Sequence, residues 1–183
     1  KNDLAWNPVI FTSHHVNIIS ELTDLIIPSD KEIPGSKDLN LIKFIDLYIY
    51  NVSKKRGQIL LKKSLDSFLK DCLIRSKKTA FSNLDRNDLE TSLIYFLKTN
   101  INSHREWSKA YRKFSNEFNE SDKTVSDEML SYNFITTIRQ LTITAFKGSE
   151  YIGENVLVYR PIPGEQEGCV DLEETTGGRA WSI

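Results

Sequence analysis

The 183-residue chain lacks the marks of several protein classes. No apolar run approaches the roughly 20 residues that cross a bilayer, so no membrane span is expected. Two cysteines are too few for the disulfide framework of a small secreted scaffold. Net charge is almost absent: 24 Lys+Arg stand against 25 Asp+Glu, a formal -1, which argues against a dedicated nucleic-acid binder. There is no G-x-S-x-G elbow for a serine nucleophile and no glycine-rich dinucleotide or phosphate loop. Histidine is scarce. His14 and His15 are adjacent and on a helix would point about 100° apart; His104 stands far away, and with two lone cysteines they match no zinc pattern. Paired carboxylates such as Glu173 and Glu174 are ordinary surface features. Neither a metal site nor catalysis by this chain alone is expected.

What is present is enough apolar material, 39% of residues, for the core of one globular domain spanning residues 1–183. The small net charge hides an asymmetry. Residues 148–183 hold seven acids (Glu150, Glu154, Glu165, Glu167, Asp171, Glu173, Glu174) and two bases (Arg160, Arg179), a local net of -5, which leaves +4 for the remainder. The same stretch holds six of the eight glycines. Composition therefore divides the chain into a body, 1–147, and an acidic, Gly/Pro-rich arm, 148–183.

In the body, apolar residues recur at helical spacing. Val16, Ile18, Ile19, Leu22, Leu25 and Ile26 form one stripe, with Thr12 or Ser13 as N-cap and Pro28 as terminator. The prolines and glycine of 28–36 predict an ordered turn. A second helix is expected from about Asp38 to Tyr50, with Leu41, Phe44, Ile45 and Tyr48 on one face. A third, Lys55 to Arg75, buries Ile59, Leu60, Leu65, Phe68, Leu69 and Cys72. Asn87 or Asp85 caps a fourth. In the segment from Ser103 to Phe118, Trp107, Tyr111, Phe114 and Phe118 make an aromatic stripe that faces the core or a partner. The last, about Val125 to Lys147, is the most apolar; its many β-branched residues leave a strand as the alternative for 134–146, but its length and spacing favour a helix closed by Gly148. The expected fold is all-α: a compact bundle of about five to six helices with an extended, irregular C-terminal arm.

Between Lys54 and Lys78 nine bases face only Asp66 and Asp71. One reading is a binding module for an anionic ligand, centred on Lys62, Lys63 and Lys70; the blander reading is a solvated helix face, since interleaved aromatics are absent. Cys72 and Cys169 lie one in the basic helix and one in the acidic arm. In an oxidising compartment they can pair, closing a loop worth roughly 4 to 5 kcal/mol in the chain-entropy model. Otherwise they are two reduced thiols, with Cys72 a small core residue.

Three blocks carry a family resemblance: Leu22-Thr23-Asp24-Leu25-Ile26-Ile27-Pro28 with Ile33-Pro34-Gly35-Ser36; the helix Phe134 to Phe146 running into Ser149-Glu150-Tyr151-Ile152-Gly153; and the tail Tyr159-Arg160-Pro161-Ile162-Pro163-Gly164, closing with Gly178-Arg179-Ala180-Trp181-Ser182-Ile183. In these the chain resembles the gluconate 2-dehydrogenase subunit 3 family, the small subunits of bacterial flavin-dependent sugar dehydrogenases. Residues 51–124 match little beyond their helical character.

The resemblance implies a noncatalytic accessory subunit with no cofactor of its own. Its partner is expected to be a large FAD-containing dehydrogenase of the glucose-methanol-choline type, with a cytochrome c as a possible electron acceptor. It also implies a periplasmic location, since such subunits often carry the twin-arginine signal for the folded pair; no such signal is visible in this chain. The pairing of Cys72 with Cys169 gains from this setting. Tyr159, Pro161, Pro163 and Trp181 of the arm are the expected partner contacts, because a glycine-rich segment with large apolar groups gains most by lying across another surface. Folding back on the body's own helices is the competing arrangement.

Overall fold

Thr12 opens the first helix: its hydroxyl oxygen accepts the backbone N–H of His15 at 3.2 Å, satisfying one of the donors that a helix N-terminus leaves free. The computed structural model describes residues 6–118, 126–158, 164 and 169–181. Helix α1 (Ser13–Ile26) buries Ile18, Ile19 and Leu22 and ends ahead of Pro28. The turn that follows is tied by hydrogen bonds. Asp30 accepts the N–H groups of Glu32 and Ile33 at 2.8 Å each, and Ser36 N–H reaches back to the Ile27 carbonyl at 2.9 Å. Gly35 sits where its missing side chain matters, since a Cβ there would lie 2.2 Å from the Ser29 nitrogen.

Helix α2 (Leu41–Val52) starts three residues later than the sequence suggests, after Asn40 in the left-handed region. It buries Leu41, Ile42, Ile45, Asp46 and Ile49. Phe44 and Tyr48, expected with Leu41 and Ile45 on one face, are exposed at 42% and 37%, and their rings stack at 5.7 Å. The buried arc is turned away from them because the segment at 9–11 packs on the other side and hands its backbone N–H groups to Asp46.

Helices α3 (Lys55–Ser76) and α6 (Asp127–Lys147) form the centre of the bundle. The first buries Leu60, Leu61, Leu65, Phe68, Leu69 and Cys72; Ile59, expected among them, is half-buried. The second is helical throughout, so the strand alternative for 134–146 does not hold. Its β-branched threonines are accommodated by bonds to the preceding turn, Thr136 to Tyr132 O at 2.9 Å and Thr142 to Ile138 O at 2.7 Å, which satisfies the hydroxyls inside the helix. Ser126 caps its start, and Gly148 N–H its end, on Thr144 O.

Helix α4 (Arg86–Lys98) opens with a reciprocal box: Asp85 accepts the N–H groups of Asn87 and Asp88, and Asp88 accepts that of Asp85. Phe96 from α4 joins Phe68 and Phe134: the Phe68 ring centroid lies 6.4 Å from that of Phe96 and 5.4 Å from that of Phe134. Helix α5 (Ile101–Glu117) packs outside α6 and presents Trp107, Tyr111 and Phe114 inward, each half-buried, with Phe118 buried just beyond its end. The aromatic stripe thus faces the body itself.

The described residues of the arm carry more regular structure than its composition suggests. One π turn, Ile152–Val156, anchors it through the fully buried Ile152. A short helix α7 (Leu172–Thr176), not anticipated from the sequence, is capped by Asp171 and closed by Gly177 at φ 60°. Val158 N–H then meets Ala180 O at 2.9 Å in an isolated parallel bridge between Val158 and Trp181. The described residues are all-α, with six helices longer than α7 and no strand.

Candidate partner-binding surface

The basic helix spends much of its charge at home. Arg56 donates to the Ser115 carbonyl at 2.6 Å and lies over the Phe118 ring. Lys63 lies over Phe114 and Phe118 at 5.7 and 5.4 Å. Arg75 bonds Asp71 at 2.6 Å and sits 3.4 Å above the Tyr95 ring centroid. Lys78 pairs with Asp85 and Asp88, which raises its pKa through those hydrogen bonds. These cations hold α3 to α4 and to the end of α5. Lys62 and Lys70 remain exposed, so the sequence's candidate anion site reduces to scattered lysines on a solvated face.

Cys72 and Cys169 are not joined. The first is fully buried and the second exposed, the arrangement of a small core residue and a surface thiol. Burial pushes the Cys72 thiol up to about 12, with the Ser92 hydroxyl opposing part of that rise. The backbone at Cys169 is left-handed, φ 51°.

Of the four expected partner contacts, Tyr159, Pro161 and Pro163 lie outside the described residues. Trp181 lies within them and is 42% exposed, with its backbone held in the bridge to Val158. Its neighbours in the arm, Tyr151, Val170 and Leu172, are also exposed. The sequence reading missed Val170 and Leu172; two apolar residues flanking a capping Asp171 were the available signal. It also missed the display of Phe44, Tyr48, Tyr50 and Val52 on α2, because helical spacing tells which residues share a face and not which arc its neighbours cover.

A charged cluster ties α1 to the turn and to α4: Arg86 meets Glu21 at 2.8 Å and Asp24 at 2.7 Å, and Lys37 meets Glu21 at 2.6 Å. The Lys37 hydrogen bond, aided by Arg86, draws the Glu21 carboxyl below its ordinary range. Beside it a cleft of about 370 Å³ opens between α1 and the start of α4, lined by His14, Glu21, Phe81 and Arg86 among others. Two further cavities, about 370 and 320 Å³, lie between α5 and α6. Among the described residues no group of three or more His, Cys, Asp or Glu side chains is placed to hold a metal, and no helix is long and apolar enough to cross a membrane.

Fold and surface together define an all-α bundle that displays apolar side chains on α2 and on a pinned C-terminal arm. The family model for gluconate 2-dehydrogenase subunit 3 matches residues 13–164, and the chain belongs to that family. It is thus a subunit of a dehydrogenase assembly, which implies a catalytic partner. No curated protein and no solved structure matches the chain.

Proposed function

We propose that this chain is the noncatalytic small subunit that binds and stabilises an FAD-containing dehydrogenase of the glucose-methanol-choline type, acting on a sugar or gluconate-like substrate. FAD belongs to the partner and none to this chain. In this reading the pair is exported to the periplasm and a cytochrome c takes the electrons. The observation that carries the proposal is the exposure of Tyr151, Val170, Leu172 and Trp181 on an arm whose base is fixed by Ile152. Large apolar groups held in place on a polar segment lose little further freedom on docking, so their burial is converted efficiently into affinity. Trp181 has the aromatic character that dominates protein interfaces.

Co-expression tests it. The flavoprotein made with this chain should purify as a stoichiometric complex, flavin-loaded and active in dye reduction with its sugar. The chain alone should show neither flavin absorbance nor dye reduction. Trp181→Ala with Leu172→Ser should release the flavoprotein while the small subunit keeps its own unfolding transition. A flavoprotein that folds, binds FAD and reaches its compartment equally well without this chain refutes the proposal.

A further inference from the structure

The two cavities between α5 and α6 share Ser108, Arg112 and Tyr132, so they form one continuous groove. Arg105, Lys109 and Arg112 line it and are exposed. Their spacing of four and three residues places them on a single stripe of α5. None of the residues lining either cavity is acidic. In this they differ from Arg75 of α3, Lys78 just beyond it and Arg86 of α4, which are each met by carboxylates. A cleft lined by one sign of charge concentrates the field that attracts a counter-charged ligand.

We infer that this groove binds an extended acidic segment of a partner protein, with carboxylates at alternate positions meeting Arg105, Lys109 and Arg112. The spacing supports an extended chain. Four residues of helix rise about 6 Å, and side chains on one face of an extended segment recur every 6.6 to 6.8 Å or so. Carboxylates two residues apart therefore fall opposite Arg105 and Lys109, and a third reaches Arg112. A compact anion would have to gather all three long side chains onto one point, at a cost in their rotamer freedom. The aromatic groups of the groove do not invite nucleobases: Tyr132 is stacked on His104 at 4.8 Å and packed against Trp107 at 5.3 Å. His104 is fixed in turn through its Nε2 contact with the Phe96 carbonyl at 2.7 Å. The groove wall is thereby preorganised. The inference rests on the subunit reading only for the existence of a protein partner, and it assigns that partner a chemistry the arm does not.

The test uses the isolated full chain and a fluorescently labelled synthetic peptide bearing glutamate at alternate positions, followed by anisotropy at low salt. Binding is expected to weaken roughly tenfold or more in the Arg105→Gln, Lys109→Gln, Arg112→Gln triple variant and in about 0.5 M NaCl, where exposed charges are screened. Lys62→Gln with Lys70→Gln, on the exposed face of α3, should leave it unchanged. The substituted side chains are exposed, and an unchanged thermal transition confirms that each variant is folded. Equal loss in both variants, no binding by the wild-type chain, or inorganic phosphate or oligothymidine competing as strongly as the peptide would overturn the inference. A chain that fails here yet still copurifies with a flavoprotein loses the groove and keeps its subunit role.

Discussion

The carboxylate of Asp46 accepts the backbone N–H of Ile10 at 2.9 Å, with both groups buried. The same carboxylate takes the N–H groups of Val9 at 2.8 Å and Phe11 at 3.2 Å. One side chain on α2 thus satisfies three consecutive donors of the segment that carries Ile10 and Phe11 into the core. Asp46→Asn keeps one oxygen but turns an amide NH₂ toward a donor, and Asp46→Ala leaves all three donors unpaired. An unpartnered buried donor costs about 1 to 3 kcal/mol. We expect roughly that loss for the asparagine variant in urea unfolding and a larger one for alanine. An asparagine variant as stable as the wild type would show that water can replace the carboxylate.

Gly35 is required by space and not by a positive φ. A Cβ there would stand 2.2 Å from the Ser29 nitrogen and 2.6 Å from the Pro28 carbonyl carbon, both backbone atoms with no rotamer to move. Gly35→Ala must open the turn and strain the Ser36 to Ile27 bond, a cost of about 1 to 3 kcal/mol by the measure of overpacked sites. Gly57 is the control. It is exposed in the first turn of α3 with the nearest atom at 3.8 Å, so Gly57→Ala is expected to stabilise by up to about 1 kcal/mol through helix propensity and a less free unfolded chain. Opposite signs in paired thermal melts are the expected result; the same sign for both would contradict the packing at Gly35.

Much of this fold is legible because helix ends and stripes are local. Thr12, Asp85 and Gly148 stand at the ends where capping rules place them, and the stripe from Ile18 to Leu22 is buried as its spacing implies. What failed was anything that depends on a neighbour distant in sequence. Spacing alone groups Phe44 and Tyr48 with Ile45, yet the Asp46 anchor sets the buried arc so that Ile45 is covered and the two aromatics face outward. Ile59 yields its place to Leu61 because α6 sets which arc of α3 is covered. Of the candidate surface, only an outline was legible: composition set the arm apart, and Trp181 is exposed there, but α7 is too short for periodicity to reveal. The Arg105, Lys109, Arg112 spacing was present in the sequence and was masked by the aromatic stripe that runs along the same helix.

The two thiols should behave differently in the native protein. With both cysteines free, a thiol reagent at mildly alkaline pH is expected to modify Cys169 alone before denaturation and both residues after it. Intact mass should not change on reduction. Cys72 also makes stability depend on pH. Its folded pKa is raised to about 12 by burial, while an unfolded cysteine ionises near 8.5. The unfolded state therefore loses its proton first, so this contribution is fully present below about pH 8.5 and is lost as pH rises toward 12. Cys72→Ala should flatten that alkaline slope while creating a small cavity. A native chain with no reactive thiol would instead restore the pairing of Cys72 with Cys169.

Arg75 makes two contacts within α3 and one to α4: its Nε donates to Asp71 at 2.6 Å, a second nitrogen reaches the other carboxylate oxygen at 3.2 Å, and its guanidinium covers the Tyr95 ring of α4. Asp71 is itself nearly buried, so it depends on this forked donor. Lysine retains the charge but presents a compact ammonium that neither forks nor stacks flat on a ring, whereas methionine removes the charge and leaves the carboxylate without its partner. Arg75→Lys is expected to cost about 1 kcal/mol, the scale of one charge-assisted contact and a ring contact weakened together. Arg75→Met should cost more, about 2 to 3 kcal/mol, because the desolvated Asp71 is stranded. The double variant Arg75→Met with Asp71→Leu should recover much of that loss, since two apolar groups can replace a partly buried ion pair. Urea unfolding of the three variants separates the cases: recovery in the double variant assigns the loss to the stranded carboxylate, and its absence assigns it to the contact with Tyr95.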